Sequence, residues 1–367
     1  MDSRERLLRF FAGEDIDRLP IWLPNPFHPL GCYADVYRNP AYAPVVARIE
    51  AGDCESFDRR GCERKLLYTA SEDFFIGSAP APRENLSNYQ KIAYKHLLFE
   101  KYVERTPSGS RIKAYIEEPR DLYKLLDIPY VPIRPDLAPY RQEREEFGRR
   151  GLYMLDLGDP LGPIYNLMRV EDFAIATLTD YDIVIEFVDE MQRRVLDTYR
   201  YFLDNDIADC YFIVGCEFAG PPLISPAKFG EISERYVKSI CDLIRSYGKI
   251  SIVHYHGFLK AVLPNFKNIG MDALHTIEAP PVGNCTLREA REALGDRTAL
   301  IGNVQYDDLT RLPAGEIERQ VREAAAEIGD GRLILSPTAG PYENTPNETL
   351  ICNYLAFIDA GLKYGKR

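Results

Sequence analysis

Along the second half of the chain, short apolar runs alternate with stretches whose apolar residues recur at helical spacing. Residues 210–214, 250–256, 273–277, 299–304 and 333–336 are strand-length runs rich in Ile, Val, Leu, Phe and Tyr. The stretches 225–247, 259–269, 287–294, 313–328 and 346–362 between and after them read as amphipathic helices. Two helix starts carry residues suited to a first turn: Ser225 ahead of Pro226, and Thr286 ahead of Leu287. Gly248 and Gly270 mark ends. Strand followed by helix, repeated in this way, predicts βα units on a parallel sheet. A doubly wound sheet gives the same alternation. However, no Gly-rich dinucleotide fingerprint follows any strand, and polar residues recur at strand ends. The pattern therefore predicts an α/β fold of the (β/α)8 TIM-barrel type, with its chemistry at the C-terminal mouth.

The first half is less regular. Residues 3–12 form an amphipathic helix ended by Gly13, and 19–23 (LPIWL) is the expected first barrel strand. Residues 153–157 are another strand, and 170–176 and 182–205 are helices. The segment from about 33 to 150 reads as an N-terminal insertion that caps one end of the barrel. Within it, 92–103 and 110–117 are expected to pair as a hairpin across 106–109 (TPSG). With no linker, repeat or low-complexity stretch, 1–367 reads as one domain.

Composition narrows the function classes. An apolar share of 46% and a charged share of 28% are ordinary for a globular chain. The net charge of −11 argues against nucleic acid or an anionic membrane as partner, since phosphate contacts need a positive surface. No run approaches the ~18 apolar residues of a membrane span. The eight cysteines include no C-x-x-C pair and read as reduced thiols. The charged opening MDSRERLLRFFAGEDIDRLP lacks the apolar core of a signal peptide, so a cytoplasmic location is expected.

The sharpest chemical feature is VHYHG, residues 253–257. On a strand, His254 and His256 project from the same face, and Gly257 places them at the barrel mouth. Two imidazoles so placed are a common start of a zinc or other divalent-metal site. The competing reading is two hydrogen-bonded structural histidines. Glu217, in GCEFAGPP after the preceding strand, would complete a two-histidine, one-carboxylate metal set or act catalytically. Alternatively it pairs with an arginine or caps a helix. Its neighbour Cys216 points the other way on a regular strand. Glu278, at the end of the next strand, is a candidate general base or a partner that holds a histidine. Asn303 and Gln305 can orient a substrate but not transfer protons. Tyr342 lies in a loop that would shape the substrate pocket, and Trp22, Asn25 and His28 would line the mouth near the first strand.

As a set, several segments resemble the uroporphyrinogen decarboxylase superfamily. They are RERLLRFFAGEDIDRLP (4–20), SPAKF (225–229), HYHG (254–257), GMDAL (270–274), TLREA (286–290), LIGN (300–303) and TPNE (345–348). The resemblance implies a (β/α)8 barrel. Two departures matter. The decarboxylase's Gln-Ala-Gly-Arg stretch is replaced by LPNPFHPLGC (23–32), and a histidine in its last strand-end loop is replaced by Ala339. The cobalamin-related methyltransferase branch is closer. It binds zinc through His-x-Cys and a later cysteine, where this chain has His254, His256 and Ala339. The resemblance thus implies a zinc-dependent methyltransferase acting on a small methylated substrate. The methyl acceptor would be a separate corrinoid protein, since no D-x-H-x-x-G motif occurs here. The alternatives are a cofactor-free decarboxylase, drawing on cations such as Arg38, Arg169 or Lys260, and a non-catalytic ligand-binding barrel. A homodimer is left open.

Overall fold

The structure is a computed structural model. It describes residues 1–24, 34–58, 103–106, 109–112, 118–126, 130, 132, 134–162, 164 and 168–367. Among them the strands are β1 (Ser56–Asp58), β2 (Val103–Thr106), β3 (Gly109–Ile112), β4 (Gly151–Asp156), β5 (Cys210–Ile213), β6 (Ile250–His254), β7 (Ala273–His275), β8 (Ala299–Val304) and β9 (Leu333–Pro337). All but β2 and β3 form one seven-stranded sheet in the order β1-β4-β5-β6-β7-β8-β9, parallel throughout.

This sheet is curled, because both of its edges reach the same short segment. Trp22 N donates to Leu335 O at 2.8 Å, and Leu335 N donates to Pro20 O at 2.9 Å. Glu55 N, just ahead of β1, donates to Ile21 O at 2.8 Å. The strand expected over 19–23 is present as two isolated parallel bridges, Ile21 to Leu335 and Trp22 to Glu55. Pro20 offers no N–H, which limits the ladder there. β1 lies inside the segment read as an insertion, and three residues are too few to show a period. The expected hairpin is found as β2 against β3, with Thr106 opposite Gly109. Its predicted portions 92–102 and 113–117 lie outside the described residues.

Alternate residues of each strand face two different cores. Phe57, Met154, Phe212, Ile252, Ala273, Ile301 and Ile334 pack together inside the curl. Tyr153, Leu155, Tyr211, Ile213, Val253, Leu274, Leu300 and Leu335 face the helices. The helix Ser3–Ala12 sends Leu7 and Phe10 into the inner core. Its Arg4 donates to Gly151 O and Asp209, at the starts of β4 and β5, so this helix plugs the N-terminal end. Nearby, the buried Glu55 accepts from Arg6 Nη1 (2.5 Å), Arg18 Nη2 (2.8 Å) and Ile21 N (2.6 Å). This ties the first helix, the bridging segment and β1 together.

The helices largely follow the sequence. Ser225 accepts from Lys228 N, and Thr286 forms a capping box with Glu289. Gly270, at φ 68°, stops the helix Leu263–Ile269. The long helix expected over 225–247 is interrupted by a π turn at Gly230–Glu234, between Pro226–Phe229 and Arg235–Ser246. Among the described residues no helix is long and apolar enough to cross a membrane.

Candidate active site

Tyr255 N donates to His275 O at 2.6 Å, and Thr276 N donates to Tyr255 O at 3.2 Å, so the pairing of β6 with β7 runs on past His254. Side chains therefore keep alternating. Tyr255 is buried outward against Phe229 and Phe266, while His254 and His256 turn inward with ring centroids 4.5 Å apart. The strand period brings these two together as the sequence predicts.

A third histidine joins them. In the parallel register His254 stands opposite His275, the last residue of β7. The two Nδ1 atoms lie 2.7 Å apart, with ring centroids 4.9 Å apart and planes 23° apart. His275 is 3% exposed and rests on Trp22 (centroids 5.3 Å) and Phe212 (5.7 Å). Sequence reasoning missed it. The available signal was its inward strand-end position, one strand along from His254.

The carboxylates divide into two kinds. Glu278 is buried, lies 3.2 Å through Oε1 from His256 Nδ1, and accepts Gly257 N at 2.8 Å through Oε2. It thus holds a histidine, one of its two expected roles. Burial works against charge on both partners, yet their hydrogen bond and mutual attraction outweigh it. Glu278 is held below the ordinary carboxylate range and His256 above the ordinary imidazole range, with Glu217 adding to the latter.

Glu217 and Asp159 are the other kind. Glu217 is partly buried and accepts Gly215 N at 3.1 Å. Burial pushes its carboxyl up despite the nearby His256, and Asp156 adds to the push. Asp159 is fully buried beside it. Its Oδ1 accepts Leu161 N and Gly162 N at 2.9 and 3.1 Å, while Oδ2 has no hydrogen-bond partner among the described residues. Burial first, and the Glu217 charge second, push Asp159 up to about 8. Only a glycine fits at 215, since a Cβ there would lie 2.0 Å from Asp159 Oδ1. Cys216 is buried, its thiol pushed far upward, and donates to His254 O at 3.3 Å. It is a thiol here, not a thiolate nucleophile.

The remaining predicted residues are scattered. Trp22 is 1% exposed and forms the wall beneath the histidines, packed on Phe57 and Phe212. Asn303 is partly buried near the end of β8, and Gln305 Oε1 accepts Thr338 Oγ1 at 3.1 Å. Tyr342 is 41% exposed and packs edge-on against Tyr306. Asn25 and His28 lie outside the described residues. Among the described residues no three His, Cys, Asp or Glu side chains are arranged to hold a metal ion. His254 and His256 engage His275 and Glu278 through Nδ1, and Glu217 engages the Gly215 amide. Glu217, His254 and His256, the expected zinc set, are not gathered into such a group among the described residues.

A solved methyltransferase from Methanosarcina mazei is similar over 99% of both chains, at 16% identity and a TM-score of 0.62. This likeness is one of fold. A B12-independent methionine synthase from a Shewanella species aligns with 64% of this chain and 68% of its own, at 12% identity and a TM-score of 0.45. No curated protein sequence matches. The model of the uroporphyrinogen decarboxylase family matches residues 163–359, more than half of the chain, and the chain belongs to that family.

Proposed function

We propose that the chain is a methyltransferase of this family, built on a closed (β/α)8 barrel, acting on a small substrate whose methyl group sits on oxygen or nitrogen. The observation that carries the reading is the His256–Glu278 pair, an imidazole at a strand end backed by a buried carboxylate. Glu278 engages Nδ1, so His256 offers its proton through Nε2. In the transfer, the methyl carbon leaves without the bonding electron pair, which stays on the oxygen or nitrogen. That atom takes the proton from His256 Nε2, and the acceptor supplies the new bonding pair. Glu217, whose carboxyl burial holds above the ordinary carboxylate range, stands near it. The acceptor is taken to be a reduced corrinoid carried on a separate protein, and the substrate meets the wall residues Asn303 and Gln305.

The decarboxylase alternative needs cations for a polycarboxylate. Arg38, Arg169 and Lys260 are exposed and paired with Asp35, Asp172 and Glu289. They are engaged at the surface, which favours methyl transfer. The test is incubation with reduced cobalamin and a panel of methoxy and methylamino compounds, following the methylcobalamin absorbance. Turnover that falls at least about 100-fold in His256→Gln supports the reading. No methyl transfer from any compound, with carbon dioxide release from uroporphyrinogen, overturns it.

A further inference from the structure

We infer that Gln305 is a specificity-determining residue, held by Thr338 so that its amide N–H groups meet the substrate. The substrate then carries an oxygen acceptor, a carbonyl or a carboxylate, besides its methylated atom. The inference deepens the proposed reading of this mouth and rests on it for the place of that methylated atom.

The placement follows from strand alternation. Ile301 on β8 and Ile334 on β9 lie in the inner core, while Leu300, Val304 and Leu335 face the helices. Val304 stands opposite Pro337, and Thr338 N donates to Val304 O at 2.9 Å, so the pairing runs on beyond β9. Period two then turns Gln305 and Thr338 inward, to the side on which His254 and His256 stand.

The direction of the amide follows from hydrogen-bond counting. A threonine hydroxyl has one proton to give. Thr338 Oγ1 accepts Tyr306 N at 3.2 Å and donates its proton to Gln305 Oε1 at 3.1 Å. Turning the amide over would leave Oε1 without this donor and the hydroxyl without this acceptor. Thr338 is itself fixed: it is 2% exposed and tied to β8 through its own N–H.

With Oε1 engaged, Nε2 is left as a pure donor. It is enclosed and has no hydrogen-bond partner among the described residues. Such a donor is costly in the free protein, and a ligand oxygen that meets it recovers the cost. Trp22 Nε1, in the segment between β9 and β1, is a second enclosed donor of this kind. The carboxyls Asp159, Glu217 and Glu278 instead follow β4, β5 and β7. The mouth is thus divided, with acids and imidazoles on β4 to β7 and unpaired donors on the other side. A substrate whose methylated atom lies at His256 directs its acceptor oxygen to Gln305. A site built to donate rejects a group that only donates, because the amide then stays enclosed and unpaired.

The test is nitrogen–proton NMR of the Gln305 side-chain amide, its signals identified by their loss in Gln305→Glu. The probes are methoxyacetate and methoxyacetone, which carry a carboxylate and a carbonyl, and 2-methoxyethylammonium, which adds only N–H donors to the same ether. In the wild type, methoxyacetate or methoxyacetone should move these amide protons to lower field in a saturable way, the tighter of the two naming the oxygen group. The ammonium probe should not move them. Thr338→Val should weaken that binding about 10-fold, and Thr338→Ser, which keeps the hydroxyl, should stay within about 2-fold of wild type. In the methyl-transfer assay, Thr338→Val should raise KM for oxygen-bearing substrates about 10-fold with kcat changed less than about 2-fold. An equal response to the ammonium probe, no shift with either oxygen probe, or unweakened binding in Thr338→Val overturns the inference. The wild-type titration decides even if the valine variant does not fold. It needs no turnover: the amide shift without methyl transfer removes the methyl-transfer reading alone, and methyl transfer without the shift removes this one alone.

Discussion

Asp159→Asn should stabilise the protein above neutral pH and flatten its response to pH. Asp159 is fully buried, with Oδ1 satisfied by two backbone amides and Oδ2 without a partner among the described residues. Burial and the Glu217 charge raise its carboxyl from 3.8 to about 8. A group raised on folding contributes stability that is fully present below its unfolded value and lost as pH rises toward its folded value. The loss runs at about 1.4 kcal/mol per pH unit. Between about pH 5 and about pH 8 the wild type should therefore lose about 4 kcal/mol through this one group. Asparagine keeps the Oδ1 acceptor for Leu161 and Gly162 and carries no charge. It also removes a like charge from beside Glu217, which acts in the same direction. The assay is urea unfolding of both proteins at several pH values across this range. The stability gap in favour of the variant should widen by about 4 kcal/mol toward the alkaline end. If the gap stays constant to within about 1 kcal/mol, Asp159 ionises as an ordinary carboxyl and the burial argument fails.

Three other outcomes follow from the geometry. Glu55→Gln takes from the buried Arg18 guanidinium the carboxylate it donates to and leaves Arg6 with Asp17 alone, and should cost about 3–5 kcal/mol. This should be read as a lower urea midpoint with an unchanged slope. Gly215→Ala should destabilise by about 1–3 kcal/mol in the same experiment, because its Cβ would strike Asp159 at a φ of 139°. A variant as stable as the wild type would contradict that contact. Glu278→Gln removes the anion behind His256, and the imidazole should then titrate lower by proton NMR. An unmoved titration would detach His256 from Glu278.

The sequence was most legible where local chemistry and packing agree. Thr286 and Glu289 form their capping box, and Gly13 and Gly270 end their helices with φ near 70°. His254 and His256 were legible because period two is a property of any strand. His275 was not, since a lone histidine acquires a neighbour only through the register of β6 on β7. The helix Tyr306–Arg311 escaped because only Tyr306 and Leu309 are buried, too few to reveal a period. Asp159 escaped for a related reason. In MLDLGDPLG an aspartate before Pro160 reads as a turn residue, and only the fold sets it against Glu217 and Gly215.

The two ends of the sheet do opposite work. At the N-terminal end charge is fully matched: Glu55 has two arginines and a backbone amide, and Asp209 has Arg4 and Arg144. At the C-terminal end charge is left partly unmatched among the described residues, since Asp159 and Glu217 are carboxyls raised by burial with no salt bridge to a cation there. Such groups weaken the fold at the pH where an enzyme works, and persist because the rest of the structure outweighs them. An acid must also be reloaded after each turnover. His256, whose side chain is 37% exposed, can regain its proton from solvent, whereas the enclosed Asp159 cannot do so directly. The same geometry that makes Asp159 costly therefore keeps it from serving as a rechargeable acid, and under the proposed function the working proton is left to His256.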